Sequence, residues 1–306
     1  MEIDSLAKIA EQLDNFFQVA KLDRDPAFSR FVPQVYDALG FDWRTFFEAD
    51  FTRRFNGLVV RGEEVVNCVF CASFPHQEVL QIFLRDAQPG DLLFSHHPID
   101  MRCGDPRGAW SEGMKAIDPA TLTLLKKRKL SFYACHAPLD YNREISTSLA
   151  IAEALNVSVE GEFLPYGNGF AGLVGSIAPL STEDLAEKLK GIFEIPYLDQ
   201  EGPLLTAISK VAIVAGCGDR VADMKEVQGK GVHAYVTGEI HCHIDNAYGR
   251  QRFEEMKTYS ASTTMSLLGV SHAASEYLVM KQNMAPWFVS NFQVKVQSIA
   301  ETKWWR

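Results

Sequence analysis

The run VVNCVFCASFPHQEVLQIFLRDAQPGDLLFSHHP, residues 65–98, decides the fold. Its first ten residues are apolar nearly throughout, as a strand covered on both faces must be. Residues 75–87 then carry the spacing of a helix, and Pro89-Gly90 supplies a turn. DLLFSHHP reads as a second strand that leaves His96 and His97 at its carboxyl end, the edge at which open α/β sheets hold ligands. Downstream, residues 117–129 predict a helix, KLSFYACH a third strand, and residues 143–156 another helix. This alternation favours a largely parallel sheet with helices on its faces. Upstream, Ile3, Leu6, Ile9, Leu13 and Phe17 predict a helix over 3–19, and residues 31–58 read as short helices and turns.

A second series begins at residue 209. SKVAIVAGCG reads as a strand ending in glycines, DRVADMKEVQGK as a helix, VHAYVTG as a strand and HIDNAYGRQRFEEMK as a helix, followed by a short strand and the helix SHAASEYLVMKQNM. Strand, helix, strand and histidines thus recur, with His241 and His243 standing where His96 and His97 stand in the first series, which predicts a duplication. Between the series, five glycines from 161 to 175 break both periodicities and read as a seam, followed by a helix with Ser181 as N-cap. The expected organisation is two similar three-layer α/β domains, 1–158 and 159–306, with 265–306 as the segment that could return to the first. The alternation of Phe292, Val294 and Val296 predicts an edge or returning strand.

Composition narrows the function classes. The chain is 47% apolar and 23% charged, the balance of a soluble globular protein, and 30 basic against 39 acidic residues imply no broad positive face for nucleic acid or anionic lipid. There is no apolar run of the roughly 20 residues that cross a bilayer, and the opening MEIDSLAKIAEQLDNFF carries acids where a signal peptide is basic, so a cytoplasmic location is expected. The six cysteines read as reduced, and Cys68 and Cys71, although spaced C-x-x-C, fall in strand text and read as core.

Chemistry concentrates in the histidines and acids. His96 and His97 stand at one strand end, Asp140 just past the next strand, and His272 and Glu276 at i and i+4 on one helix face. Three imidazoles and two carboxylates suit zinc, iron, manganese or cobalt, held as one ion or as two bridged by a carboxylate. Asp140 could instead cap the following helix, and His-x-x-x-Glu could be a solvated pair. His136 is placed to orient a ligand or to transfer a proton. Glu239, His241 and His243 read either as one face of a continuing strand or as a helix start. Gly216-x-Gly218 lacks the third glycine of a dinucleotide fingerprint and reads as a tight turn, while Arg102 and Arg107 are candidate phosphate contacts.

DLLFSHHP, HAPLD, VTGEIHCH and GVSHAASE, in this order, resemble the conserved blocks of the NIF three-like family, whose bacterial members are called GTP cyclohydrolase I type 2 homologues. The resemblance implies His96, His97 and His272 as metal ligands, Asp140 and Glu276 as ligands able to bridge, a dinuclear centre between two α/β domains, and a ring-shaped homohexamer built from dimers. The chain departs from the family pattern at Ala137-Pro138, where Thr-Asn is usual, and at Ala273, where an aromatic is favoured. Two divalent ions roughly 3.5–4 Å apart acidify water at neutral pH and clamp phosphates. The expected function is therefore a metal-dependent hydrolase of a nucleotide or phosphoester with Glu276 and His136 as proton-transfer groups. A non-catalytic, ring-forming metal-binding scaffold is the alternative.

Overall fold

A computed structural model describes residues 4–305. In chain order, β1 (Gly57–Val60), β2 (Cys68–Ala72), β3 (Leu92–Ser95), a short antiparallel pair β4 (Asp100–Arg102) and β5 (Gly113–Lys115), and β6 (Ser131–Ala134) form the first series. The first sheet has the order β1-β6-β3-β2, with β2, β3 and β6 parallel and β1 antiparallel to β6. The second series contains β7 (Ser158–Tyr166), β8 (Gly169–Leu180), β9 (Asp199–Glu201), β10 (Ile208–Cys217), β11 (Ala234–Glu239) and β12 (Ser266–Gly269). They form a mixed sheet of order β7-β8-β10-β11-β12-β9, in which β10, β11 and β12 run parallel. The parallel triplets β2-β3-β6 and β10-β11-β12 are each built by strand-helix-strand-helix-strand succession, so the recurrence read from the sequence is present in the topology.

Period-two alternation explains why both faces of these strands are apolar. Val69, Cys71, Phe94 and Tyr133 of the first sheet, together with Val211, Ile213, Val236 and Leu268 of the second, belong to one core. Between the sheets lie the helices Thr147–Leu155 and His272–Val279, contributing Ile151, Leu155 and Leu278. The intervening residues Phe70, Leu93 and Phe132 face outward under helices carrying Val32, Phe83 and Leu122, while Ala212, Val214 and Tyr235 do the same on the second sheet. Cys71 is buried core, as its strand context implied. Among the described residues the cysteines are unpaired, and no helix is long and apolar enough to cross a membrane.

Several local readings change. The N-terminal helix runs over Leu6–Phe16, and Ile3 lies outside the described residues. The glycine-rich stretch is no loop: β7 and β8 form a long antiparallel hairpin turned at Gly167, whose φ is +55°. Gly172 is needed there because a Cβ would sit 2.4 Å from the Phe163 ring, so a glycine that resembles loop punctuation marks a close approach of strand and ring. The stretch 285–300 divides into a helix, Ala285–Asn291, and β13 (Lys295–Ser298). β13 returns across the molecule to lie parallel to β2 as the outer strand of the first sheet. Ser181 caps its helix by accepting from the Asp184 amide, as expected.

Candidate metal centre

The carboxyl ends of β3, β6, β10 and β11 converge on the amino end of the helix His272–Val279. After β3 the chain continues to pair, His96 N–H donating to Ala72 O and His97 N–H to Ser73 O. His96 Nδ1 contacts Cys135 O at 2.9 Å, so this nitrogen carries a proton, and Nε2 is the atom left to hold a cation or, without one, a second proton. That Nε2 lies 3.4 Å from Asp140 Oδ1 and 3.6 Å from Glu276 Oε1. His97 Nε2 lies 3.2 Å from Glu276 Oε2, and His272 Nε2 lies 2.9 Å from Glu276 Oε1. All five residues read from the sequence as a ligand set therefore meet at one point, with Glu276 at its centre.

Asp140 is not a helix cap. Ser146 caps the helix Thr147–Leu155, and Asp140 Oδ1 accepts from the Thr147 hydroxyl at 2.8 Å. Glu239 neither continues a ligand face nor starts a helix: its Oε2 accepts from His272 Nδ1 at 3.0 Å, fixing that ring with Nε2 forward. His241 instead pairs with Glu201, and His243 packs beside Trp110 and Phe253.

The donor set fits divalent ions. Two groups of ligand atoms, His96-His97-His136 and His97-His272-Glu276, each lie within 4.8 Å internally and share His97. The Nε2 atoms of His96 and His97 and Oε2 of Glu276 are buried without a hydrogen-bond partner among the described residues, a costly arrangement unless a cation faces them. The electrostatics are correspondingly divided. Burial drives the His97 imidazole down to about 3. Burial also opposes charge on His96, but the Glu276 and Asp140 carboxylates outweigh it and lift the ring to about 9. For Glu276 burial is overcome by His272, His96 and His97, which hold the carboxyl well below its usual range, whereas burial raises Asp140.

Sequence reasoning missed Asp25, which is wholly buried beneath His136. Its carboxylate contacts His136 Nδ1 at 3.0 Å and accepts from Asn56 Nδ2 and from the Phe28 and Ala137 amides. His136 Nε2 then faces Asp140 Oδ2 at 3.8 Å. Burial resists ionisation of Asp25, yet His136 and the amides bring it down to about 2. Because His136 is grouped with His96 and His97 as a ligand atom within reach of one ion, we expect Asp25→Asn to weaken metal binding about 10- to 100-fold, as loss of an orienting carboxylate does elsewhere, measured by competition with a chelator. The metal-free variant should also be less stable than wild type above pH 3.8, where the unfolded Asp25 is ionised. That difference should disappear as pH falls through about 2, because the depressed carboxyl is then protonated in both states. An unchanged metal affinity would remove Asp25 from the site.

A cavity of about 360 Å³ opens onto His97, Asp140, His272 and Glu276. The arginines on its wall are Arg30, Arg220 and Arg252. Arg102 lines a different cavity and Arg107 stacks 3.9 Å over Tyr197, so neither expected phosphate contact reaches the centre. Gly216 belongs to the centre for a reason its glycine motif concealed. At φ +69° it passes beneath the ligands, and a Cβ there would lie 2.5 Å from Glu276 Oε1.

Residues 49–303 match the family model Duf34/NIF3 (NGG1p interacting factor 3). The chain belongs to this family. Relatives named GTP cyclohydrolase 1 type 2 homolog include one from Archaeoglobus fulgidus, 27% identical over 60% of this chain and 69% of its own length. Another, from Pyrococcus horikoshii, is 27% identical over 75% of this chain and 82% of its own. Among solved structures, the protein ybgI, of unknown function, aligns over 98% of this chain and 99% of its own with a TM-score of 0.67 at 19% identity. That likeness supports the two-domain α/β fold of the Duf34/NIF3 family.

Proposed function

We propose that the cleft is a dinuclear metal-dependent hydrolase site for a nucleotide or another phosphoester. The observation that carries the reading is the pair of ligand groups sharing His97, with Glu276 in contact with three imidazoles. His96, His97 and Asp140 would hold one ion and His272 the other, with Glu276 between them; zinc, iron, manganese and cobalt all suit such nitrogen and oxygen ligands. Paired divalent ions supply Lewis acidity toward a phosphoryl or carbonyl oxygen and acidify water.

The chain's own groups supply the rest. Asp25 fixes His136 so that Nε2 points at the centre, where it can take or return a proton, and Glu276 offers a second carboxylate oxygen for the same purpose. Arg30, stacked on Phe31, gives the cavity wall positive charge for an anionic substrate in a protein of net charge -9, while Arg220 on the same wall is paired with Asp223 at 2.7 Å. The family likeness supports a homohexamer built from dimers, and unpaired cysteines suit a cytoplasmic setting.

Ala137 and Pro138, placed beside the ligands where the family pattern is polar, favour a second reading in which the metals organise a ring-forming scaffold without turnover. Gently purified, metal-replete protein is expected to hold about two divalent ions per subunit at this nitrogen- and oxygen-ligand centre and to hydrolyse members of a nucleotide and phosphoester panel, with activity lost to a chelator. Two ions without turnover would favour the scaffold, and fewer than about one ion per subunit would overturn both readings.

A further inference from the structure

The cleft wall carries another group of ligating atoms that the hydrolase reading does not use. Cys217 ends β10, Asp219 follows two residues later, and Cys242 lies just past β11. One ligand atom from each falls within 4.8 Å of the other two, and Cys217 Sγ is 3.3 Å from Asp219 Oδ1. Asp219 and Cys242 are only 3% and 2% exposed, while Cys217 opens toward the cavity that also reaches His272 and Glu276. Arg252 donates to Asp219 O and, at 3.2 Å, to Oδ1. Asp219 Oδ2 is buried with no hydrogen-bond partner among the described residues, and a carboxylate oxygen is not left bare in a protein interior without cost.

We propose that Cys217, Asp219 and Cys242 form a third metal site, selective for one thiophilic divalent cation of the zinc class. Two sulfurs and one carboxylate are a softer set than the nitrogen and oxygen ligands of the neighbouring centre, so the two sites sort ions by chemistry. Three protein ligands leave a fourth position facing the cavity, the arrangement of an open zinc site. Binding forms two metal-sulfur bonds and one metal-oxygen bond, and the two thiol protons leave to solvent. The charges then cancel: two thiolates and Asp219 against the divalent ion and Arg252. A disulfide between the same sulfurs would leave Asp219 Oδ2 bare, which is why the geometry favours a cation over a redox pair.

The test is cobalt(II) titration of the full chain, kept reduced with a phosphine. A sulfur-to-cobalt charge-transfer band should appear and reach an intensity corresponding to one thiolate-bound cobalt per chain. It should vanish in Cys217→Ser and in Cys242→Ser, and Asp219→Asn should weaken the binding it reports by more than about tenfold. It should persist in Cys103→Ser, the control for the thiol that sits with Glu239 and His272. It should persist too in Glu276→Gln, so that failure of the dinuclear reading leaves this site standing. Absence of the band in wild type, its survival in either cysteine variant, or its loss with Cys103 would overturn the proposal. So would a Cys217–Cys242 disulfide that re-forms after reduction in the presence of cobalt.

Discussion

Replacement of Glu276 by glutamine is expected to reduce bound nitrogen- and oxygen-ligated metal from about two ions per subunit to one or none, with hydrolysis falling below detection. Size is conserved, so the effect isolates charge and lone pairs. Glu276 presents Oε1 to His272 and His96 at 2.9 and 3.6 Å, and Oε2 to His97 at 3.2 Å. An amide keeps only one of those acceptors and turns an N–H₂ group toward an imidazole nitrogen that must offer its own lone pair to a cation. Elemental analysis after gentle purification, in the Cys217→Ser background that removes the thiolate site, reads the loss directly, and thermal melting with and without added metal reads the same loss as a vanished stabilisation. Wild-type stoichiometry in Glu276→Gln would remove Glu276 from the ligand set. Retained assembly alongside lost turnover would separate the hydrolase from the scaffold.

Gly216→Ala should do comparable damage without touching any ligand. Position 216 sits at φ +69°, and its added methyl would lie 2.5 Å from Glu276 Oε1 and 3.0 Å from His272 Nε2. The left-handed backbone alone costs an alanine about 1–2 kcal/mol. Relief of the clash needs only the ends of the Glu276 and His272 side chains to swing aside, and since those ends carry the ligating atoms, that displacement opens the geometry that Glu276 spans. We expect metal content to fall by at least one ion in the purified variant, while the metal-free form still folds with a lowered melting temperature. A variant that binds metal like wild type would show that the Glu276 and His272 side chains accommodate the methyl without giving up the ion.

These two positions illustrate what a sequence discloses. Glu276 was legible because His272 stands one helical turn before it and because the two-histidine strand end announced a sheet edge at which both could arrive. Gly216 was not, since a glycine pair after a strand signals a turn and carries no record of what passes above it. Asp25 lay in the gap between the helix read over 3–19 and the short helices and turns read over 31–58. It accepts from the nearby Ala27 and Phe28 amides, but the partners that tie it to the centre are Asn56 and, more than a hundred residues away, His136 and the Ala137 amide, and nothing in local spacing encodes those contacts. Ligands set by periodicity within one element could be found; partners set by tertiary approach could not. The hairpin β7-β8 failed for a related reason, as its glycines serve a ring and a neighbouring strand rather than a flexible loop.

The return of β13 to the edge of β2 bears on how the protein is made. Lys295 pairs with Cys68 across 227 residues of chain, so the outer flank of the first sheet stays uncovered until residues 295–298 have left the ribosome. Until then β2 presents a bare, apolar strand edge, the kind of surface that recruits wrong partners during synthesis. The helix that brings His272 and Glu276 is made only shortly before that closure. Metal loading therefore waits on the second series: the nascent chain displays His96 and His97 first, and can complete the centre only when the helix His272–Val279 has emerged, shortly before the strand that seals the sheet.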